Sequence, residues 1–132
     1  MKQLISRFID KNLPILGICL GHQALIQYFG GTLQLLPEPV HGKSTQIQLT
    51  PASRMFLGLG GTITVGRYHS IYASTSQESM PDCLRVTAEC DGIVMAFEHV
   101  QLPIYGVQFH LESILSNRKE ALHILGTILN RR

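Results

Sequence analysis

The chain has 132 residues, which is the length of one domain and enough to enclose a hydrophobic core. Hydrophobic residues make up 45% of it and charged residues 15%, a composition that excludes an intrinsically disordered chain. The net charge of +2 is small and the basic residues are scattered, so neither nucleic acid nor an anionic membrane is expected as a partner.

The cysteines indicate the compartment. Their number, three, is odd and no pair has Cys-x-x-Cys spacing, so neither a disulfide framework nor a zinc site is predicted. We expect a reducing, cytoplasmic location and no metal or other cofactor. The first residues lack the apolar core of a signal peptide, and no apolar run approaches membrane-spanning length.

The first predicted elements follow from the spacing of apolar residues. A helix over residues 2–10 is followed by a buried strand at 14–18 and a second helix at 24–29. Gly30-Gly31 ends this helix, and residues 37–43 are predicted to form a loop because they contain two prolines and a glycine. Further strands are predicted at residues 32–36, 45–49, 62–65, 71–73, 84–88, 93–97 and 104–109, and a closing helix at 117–130.

The order of these elements predicts the fold class. Asp91-Gly92, between two predicted strands, is typical of a hairpin turn. We expect an α/β fold with a mixed, mostly parallel sheet and flanking helices, with an open crevice at the strand ends where such folds keep their sites.

The first candidate site is the stretch Gly17-Ile18-Cys19-Leu20-Gly21. It is the thiol version of the nucleophile elbow, in which a tight strand-to-helix turn with small flanking residues exposes one side chain. The N-terminus of the following helix would favour a thiolate, the form of cysteine that attacks carbonyl carbon. The alternative is a buried structural cysteine between two ordinary turn glycines.

A cysteine nucleophile needs a base, and the base needs an orienting group. His110 follows a predicted strand, and Glu112 lies two positions on. Residues at i and i+2 of an extended segment point the same way, so Glu112 could hold the His110 ring while its other nitrogen addresses Cys19. Taken alone, the pair is more typical of a surface histidine beside an unrelated glutamate, and the elbow motif at Cys19 is what favours a base.

Three stretches carry a family resemblance. Gly-Ile-Cys-Leu-Gly-His-Gln at 17–23, Arg-Tyr-His-Ser at 67–70 and Gly-Val-Gln-Phe-His-x-Glu-Ser at 106–113 resemble, in order and spacing, the signatures of class I glutamine amidotransferases. Residues 39–43 and 112–116 resemble the glutaminase subunits of anthranilate synthase and aminodeoxychorismate synthase. The resemblance covers essentially the whole chain and implies the flavodoxin-like fold of that family.

The resemblance implies a catalytic triad. Cys19 would attack the side-chain amide of L-glutamine, giving a γ-glutamyl thioester and ammonia. His110 would protonate the departing ammonia and then activate water, oriented by Glu112. The Leu20 backbone N–H would stabilise the oxyanion.

The resemblance also implies a substrate-binding set. Gln23, with backbone groups at Ser70 and Ile71, would hold the glutamine head group. The alternatives are a solvent-facing Gln23 in the first turn of a helix and a plain turn residue at Ser70. The remaining polar candidates are expected to be structural, interface or bystander groups, namely His22, His41, His69, Cys83 and Cys90.

By this resemblance the chain is a glutaminase subunit that passes ammonia to a chorismate-binding synthase subunit in tryptophan or folate biosynthesis. The predicted loop at 37–44 would belong to the partner surface. One alternative is another cysteine hydrolase of the same fold, such as a γ-glutamyl hydrolase. Another is a catalytically impaired fragment or binding module that keeps the site residues without the activity.

Two departures from the family pattern modify these expectations. Leu111 stands where the family has proline, which gives up a fixed φ. Residues 1–132 are expected to form a single amidotransferase domain that is N-terminally incomplete, lacking the strand-helix-strand that supplies the other oxyanion donor. The strand at 15–18 would then lack a neighbour and favour self-association through the exposed sheet edge, and the chain by itself would have little glutaminase activity.

Overall fold

The computed structural model describes residues 2–50, 53–57, 59, 61–76, 78–111, 114 and 118–129. The described helices are α1 (Lys2–Asp10), α2 (Leu20–Tyr28) and α3 (Arg118–Leu129). The described strands are β1 (Ile15–Ile18), β2 (Gln34–Leu49), β3 (Thr62–Tyr72), β4 (Leu84–Cys90), β5 (Ile93–His99) and β6 (Ile104–Val107). None of these helices has both the length and the apolar character needed to cross a membrane.

The described strands form one sheet in the order β1-β6-β5-β4-β2-β3. The α/β class and the mixed sheet are confirmed, but only β1 and β6 pair in parallel, and the four other neighbouring pairs are antiparallel. The expected parallel majority is therefore not found among the described strands. The reason is connection length, because parallel neighbours need a long crossover whereas β4, β5 and β6 are joined by short turns.

The β2 and β3 strands are longer than predicted. Residues 37–43, predicted to be a loop, lie inside β2, which pairs with β3 through two irregularities. The first irregularity falls between Leu35 and Val40, so Pro37 and Pro39 occupy positions without a ladder partner. Proline lacks a backbone N–H, and a bulge removes the need for one. The prediction of a loop was wrong because a bulge within a strand cannot be recognised from local composition.

The hairpin predicted at Asp91-Gly92 is confirmed. These two residues connect β4 to β5 and have φ angles of 49° and 77°. Positive φ at both central positions matches the turn whose twist fits antiparallel strands.

Two hydrophobic clusters pack against the sheet. One contains Leu25 of α2 with Ile104, and the other contains Ile124 of α3 with Tyr105 and Val107. β6 contributes to both clusters because successive strand residues point to opposite faces. The sheet is therefore packed on both sides at β6, the neighbour of β1.

A buried carboxylate anchors the segment after β2 to β5. Glu98 is fully buried and accepts hydrogen bonds from the backbone N–H groups of Arg54 and Met55 and from the side chains of Ser53, Arg54 and Arg85. Burial acts to raise the pKa of Glu98, but the hydrogen bond from Arg85 and those from the backbone outweigh it and lower the pKa. The carboxylate therefore stays ionised while it organises this segment.

Apolar surface is exposed beside β1, which lies at one end of the sheet. A cavity of about 190 Å³ opens there between α1, β1 and α2, lined by residues that include Leu4, Phe8 and Ile18. Leu4 is 54% exposed and Phe8 is 36% exposed. This apolar groove is the surface expected next to a strand with one described neighbour.

Candidate active site

The turn at Cys19 joins the end of β1 to the start of α2. β1 ends at Ile18 and α2 begins at Leu20, so Cys19 alone makes the change of direction. Its φ of 54° and ψ of −102° lie in a region that residues with a side chain rarely adopt. Its N–H donates to the Val107 carbonyl of β6 at 2.9 Å, which fastens the turn to the neighbouring strand. The predicted strand-to-helix turn is therefore present.

The glycines flanking the turn have different reasons to be there. A Cβ on Gly17 would lie 2.6 Å from the Gly21 carbonyl oxygen and 2.7 Å from Cδ1 of Leu25, so only glycine fits where α2 passes β1. A Cβ on Gly21 would meet no atom within 4 Å. The expectation that both positions need a small residue holds at Gly17 and is wrong at Gly21, because Gly21 borders the open groove.

The Cys19 thiol is half-buried and lies beside a residue that sequence reasoning missed. The side-chain amide of Gln108 donates from Nε2 to Cys19 Sγ at 3.7 Å, and the Tyr68 carbonyl oxygen lies 4.0 Å from the same sulfur. Gln108 follows the end of β6 as Cys19 follows the end of β1, and the two strands pair in parallel with Ile18 opposite Val107. This contact depends on the register in which β1 and β6 pair, and a sequence motif does not contain that register.

Gln23 is buried, with 5% of its surface exposed. Its side-chain Nε2 donates to the Ile71 carbonyl at 3.0 Å and to Oε1 of Gln108 at 3.2 Å. The alternative of a solvent-facing Gln23 is therefore wrong. The amide hydrogens of this side chain are directed at protein groups on β3 and beyond β6.

The other predicted substrate contacts lie on β3. Ser70 is exposed, and the Ile71 carbonyl is contacted by His69 Nδ1 at 3.0 Å as well as by Gln23. Arg67 Nε donates to His69 Nε2 at 3.1 Å, and both side chains are buried. Burial lowers the pKa of His69, so its ring is held neutral in the structural position expected for it.

The predicted oxyanion donor follows Cys19 directly in the chain, and the predicted base follows β6, the strand that pairs with β1. Leu20 is the first residue of α2, and the first N–H groups of a helix have no acceptor within the helix. His110 is exposed and lies three residues beyond the end of β6. Leu111, which replaces the family proline, is buried in the hydrophobic cluster that contains Ile124 of α3. Glu112, the predicted orienting group, lies outside the described residues.

His22 lies behind the turn and is completely buried against Phe97, with ring centroids 5.1 Å apart. Burial lowers the pKa of His22 to about 3, and the nearby Gly106 backbone offsets this only in part. Among the described residues neither ring nitrogen has a hydrogen-bond partner of good geometry. These features agree with the structural role expected for His22 and exclude it as a proton carrier near neutral pH.

The remaining cysteines are Cys83 and Cys90. Burial raises the pKa of the Cys83 and Cys90 thiols, which favours their unreactive protonated forms. Within the described ranges, no group of three or more His, Cys, Asp or Glu side chains could hold a metal ion. The described residues that follow β1 and β6 include a thiol at Cys19, the first N–H groups of α2 and an imidazole at His110.

Known proteins resemble this chain along almost all of its length. A family model described as glutamine amidotransferase class-I matches residues 1–127. An anthranilate synthase of Azospirillum brasilense is 49% identical over 129 residues, which cover 96% of this chain and 17% of that protein. An aminodeoxychorismate synthase component 2 of Klebsiella aerogenes is 40% identical over 126 residues, which cover 95% of this chain and 65% of the relative.

A solved structure has the same fold. A glutamine amidotransferase of Thermotoga maritima superposes with a TM-score of 0.76 at 19% sequence identity, over 98% of this chain and 66% of the other. The chain spans less than two thirds of the length of either curated relative named above. Because the family model matches residues 1–127, the chain belongs to the class-I glutamine amidotransferase family.

Proposed function

We propose that the chain is a glutaminase subunit that hydrolyses L-glutamine to glutamate and ammonia. The observation that carries the proposal is the strained turn of Cys19, with a φ of 54°, at the carboxyl end of β1 and the N-terminus of α2. In this position the sulfur is half-buried and the first N–H groups of α2 are directed toward the same edge. This arrangement suits attack on a carbonyl group and stabilisation of the resulting oxyanion.

The proposed reaction proceeds in two stages. Cys19 gives its thiol proton to His110 as Sγ attacks the γ-amide carbon, and the Leu20 N–H binds the oxyanion. The C–N bond then breaks as His110 passes this proton to the leaving ammonia. The product of this stage is a γ-glutamyl thioester. A water molecule then gives a proton to His110 and attacks the thioester carbon. The C–S bond breaks, glutamate is released, and His110 returns its proton to the sulfur. Glu112 orients His110 throughout, a role that rests on the spacing of the two residues in the sequence.

The proposed substrate-binding surface lies on β3. Backbone groups at Ser70 and Ile71 hold the glutamine head group in this proposal, and its support is the exposure of Ser70 on this strand. Gln23 helps to hold this surface in place, because its buried side-chain amide donates a hydrogen bond to the Ile71 carbonyl.

We propose that the acceptor of the ammonia is a chorismate-binding synthase subunit in the cytoplasm. The support is the similarity to an anthranilate synthase and to an aminodeoxychorismate synthase component 2. The bulged part of β2 around 37–44 is mostly exposed and includes His41 and Lys43, which suits a docking surface. The cysteines of the chain are free thiols, as a reducing compartment requires.

The test is L-glutamine-dependent release of ammonia, measured with and without the chorismate-binding subunit of the same organism. We expect release when that subunit is present, complete loss of release in Cys19→Ala, and full release in the matched control Cys83→Ala. Release that persists in Cys19→Ala would contradict the proposal. Preference for γ-glutamyl peptides over free glutamine would favour the γ-glutamyl hydrolase alternative instead.

We also propose that copies of the chain associate through the edge of β1 that faces away from β6. The support is the position of β1 at one end of the sheet and the apolar groove with exposed Leu4 and Phe8 beside it. Sedimentation velocity at increasing concentration tests this. We expect Phe8→Ser to weaken association, whereas Leu122→Ser, which alters an exposed leucine on α3, leaves it unchanged. Equal sedimentation of both variants and the parent at every concentration would rule out this surface.

A further inference from the structure

A continuous line of hydrogen bonds joins buried Arg67 to the sulfur of Cys19. Two groups in this line have only one possible role, because a guanidinium group only donates and the Ile71 carbonyl oxygen only accepts. These two fixed roles determine which group donates and which accepts in each hydrogen bond of the line.

The first part of the line fixes His69. Arg67 Nε donates to His69 Nε2 at 3.1 Å, so this nitrogen accepts. The neutral ring then carries its proton on Nδ1, which donates to the Ile71 carbonyl at 3.0 Å. The Ile71 carbonyl is thereby held in place from the β3 side.

The second part of the line fixes two amides. Gln23 must direct its NH₂ group at the Ile71 carbonyl, 3.0 Å away, and the same group donates to Oε1 of Gln108 at 3.2 Å. Because the oxygen of the Gln108 amide faces Gln23, its NH₂ group faces Cys19 Sγ, 3.7 Å away. A reversed amide would instead direct its oxygen at the sulfur and would repel a thiolate.

We propose that Gln108 stabilises the thiolate of Cys19 through its side-chain N–H, and that Gln23 is a positioning residue that keeps this amide from reversing. A donor aimed at the sulfur bonds more strongly to the thiolate than to the thiol. Gln108 is 2% exposed and Gln23 is 5% exposed, so water competes little for either amide. The inference deepens the proposed function, since it rests on Cys19 as the nucleophile.

The test is the rate constant for alkylation of Cys19 by iodoacetamide as a function of pH, followed by mass spectrometry of the peptide that contains Cys19. Gln108→Met keeps the length of the side chain and removes the donor. Gln23→Met removes the group that orients the amide. Gln48→Met makes the same chemical change at an exposed position on β2 and is the matched control.

The expected results are specific to the amide. In Gln108→Met the pH profile of alkylation moves upward, so alkylation at pH values below the plateau slows roughly tenfold while the plateau rate is unchanged. Gln23→Met moves the profile upward by less, and Gln48→Met leaves the profile in place. The titratable or charged side chains on α2, on β6 with residues 108–111 that follow it, and on β3 from Arg67 onward are His22, Tyr28, Arg67, Tyr68, His69, Tyr72, Tyr105 and His110. All of them remain in each variant.

Two outcomes would overturn the inference. One is an unchanged pH profile in Gln108→Met and Gln23→Met, each with a parental circular dichroism spectrum. The other is an equal movement in Gln48→Met. A purely structural role for Gln108 would lower stability without moving the profile. Alkylation needs no glutamine, so a moved profile in a chain that never releases ammonia would sustain this inference while the proposed function fails.

Discussion

The substitution Gly106→Ala tests the packing that places the site. Gly106 lies on β6 opposite Gly17 of β1 on one side and Phe97 of β5 on the other. A Cβ at this position would lie 2.1 Å from Cε2 and 2.5 Å from Cζ of Phe97, where ordinary contacts begin at 3.4 Å. Phe97 is fully buried, so its ring has no open space into which it can move.

The expected effect of Gly106→Ala is large for one added methyl group. Overpacking of a core typically lowers the free energy of unfolding by 1–3 kcal/mol, and the enclosed Phe97 ring places this case near about 3 kcal/mol. The midpoint of thermal unfolding should fall by about 10 °C. The measurement is urea unfolding followed by far-ultraviolet circular dichroism.

The matched control is Gly126→Ala on α3. A Cβ there would meet no atom within 4 Å, so helix propensity alone predicts a gain of about 1 kcal/mol. If Gly106→Ala is as stable as the parent, Phe97 does not pack against β6 as described. The register that brings Gln108 beside Cys19 would then lose its support.

Three further substitutions test single features of the structure. Gly17→Ala should lower the free energy of unfolding by about 2 kcal/mol, because its Cβ would press on the start of α2; unchanged urea unfolding would refute this reason. His22 has an ordinary pKa of 6.5 that burial lowers to about 3, so the parent loses up to about 5 kcal/mol of stability as the pH falls between these values. His22→Leu should remove most of this loss, and an identical pH profile of unfolding in both proteins would contradict the buried neutral ring. Glu98→Gln should cost about 3 kcal/mol at pH 7. The difference in stability between parent and variant should shrink as the pH falls from 4.5 to below the lowered pKa of Glu98, where the carboxylate becomes protonated. A difference that does not change with pH would count against the ionised carboxylate.

Local features of the fold could be predicted from the sequence. The first helix over residues 2–10 matches α1, and the Asp91-Gly92 turn has the positive φ angles that its residue types favour. Each depends on residues close together in the chain. The turn at Cys19 belongs to the same class, because the flanking strand and helix have clear apolar patterns.

Non-local pairings could not be predicted in the same way. The bulges that carry Pro37 and Pro39 inside β2 exist only because β3 supplies the matching strand, and composition alone indicates a loop. The same limit applies to the balance of parallel and antiparallel pairs, which depends on which strands become neighbours.

The residues of the site also divide into those that local sequence predicts and those that depend on strand pairing. Cys19 and His110 were candidates because their residue types and flanking patterns are typical of a nucleophile and a base. Gln108 was not, because its relation to Cys19 arises from the parallel register of β1 and β6. Gln23 was assigned to the substrate, whereas its amide hydrogens bind Ile71 and Gln108.

The most direct test of a formed glutamine site at Cys19 is labelling by diazo-oxo-norleucine, an electrophilic analogue of glutamine. The label is counted on the intact chain and located by peptide mass spectrometry. The account predicts one label per chain, carried by Cys19, and protection by excess L-glutamine. A chain that takes no label at Cys19, or takes it equally at Cys83 and Cys90 without protection, would contradict the account.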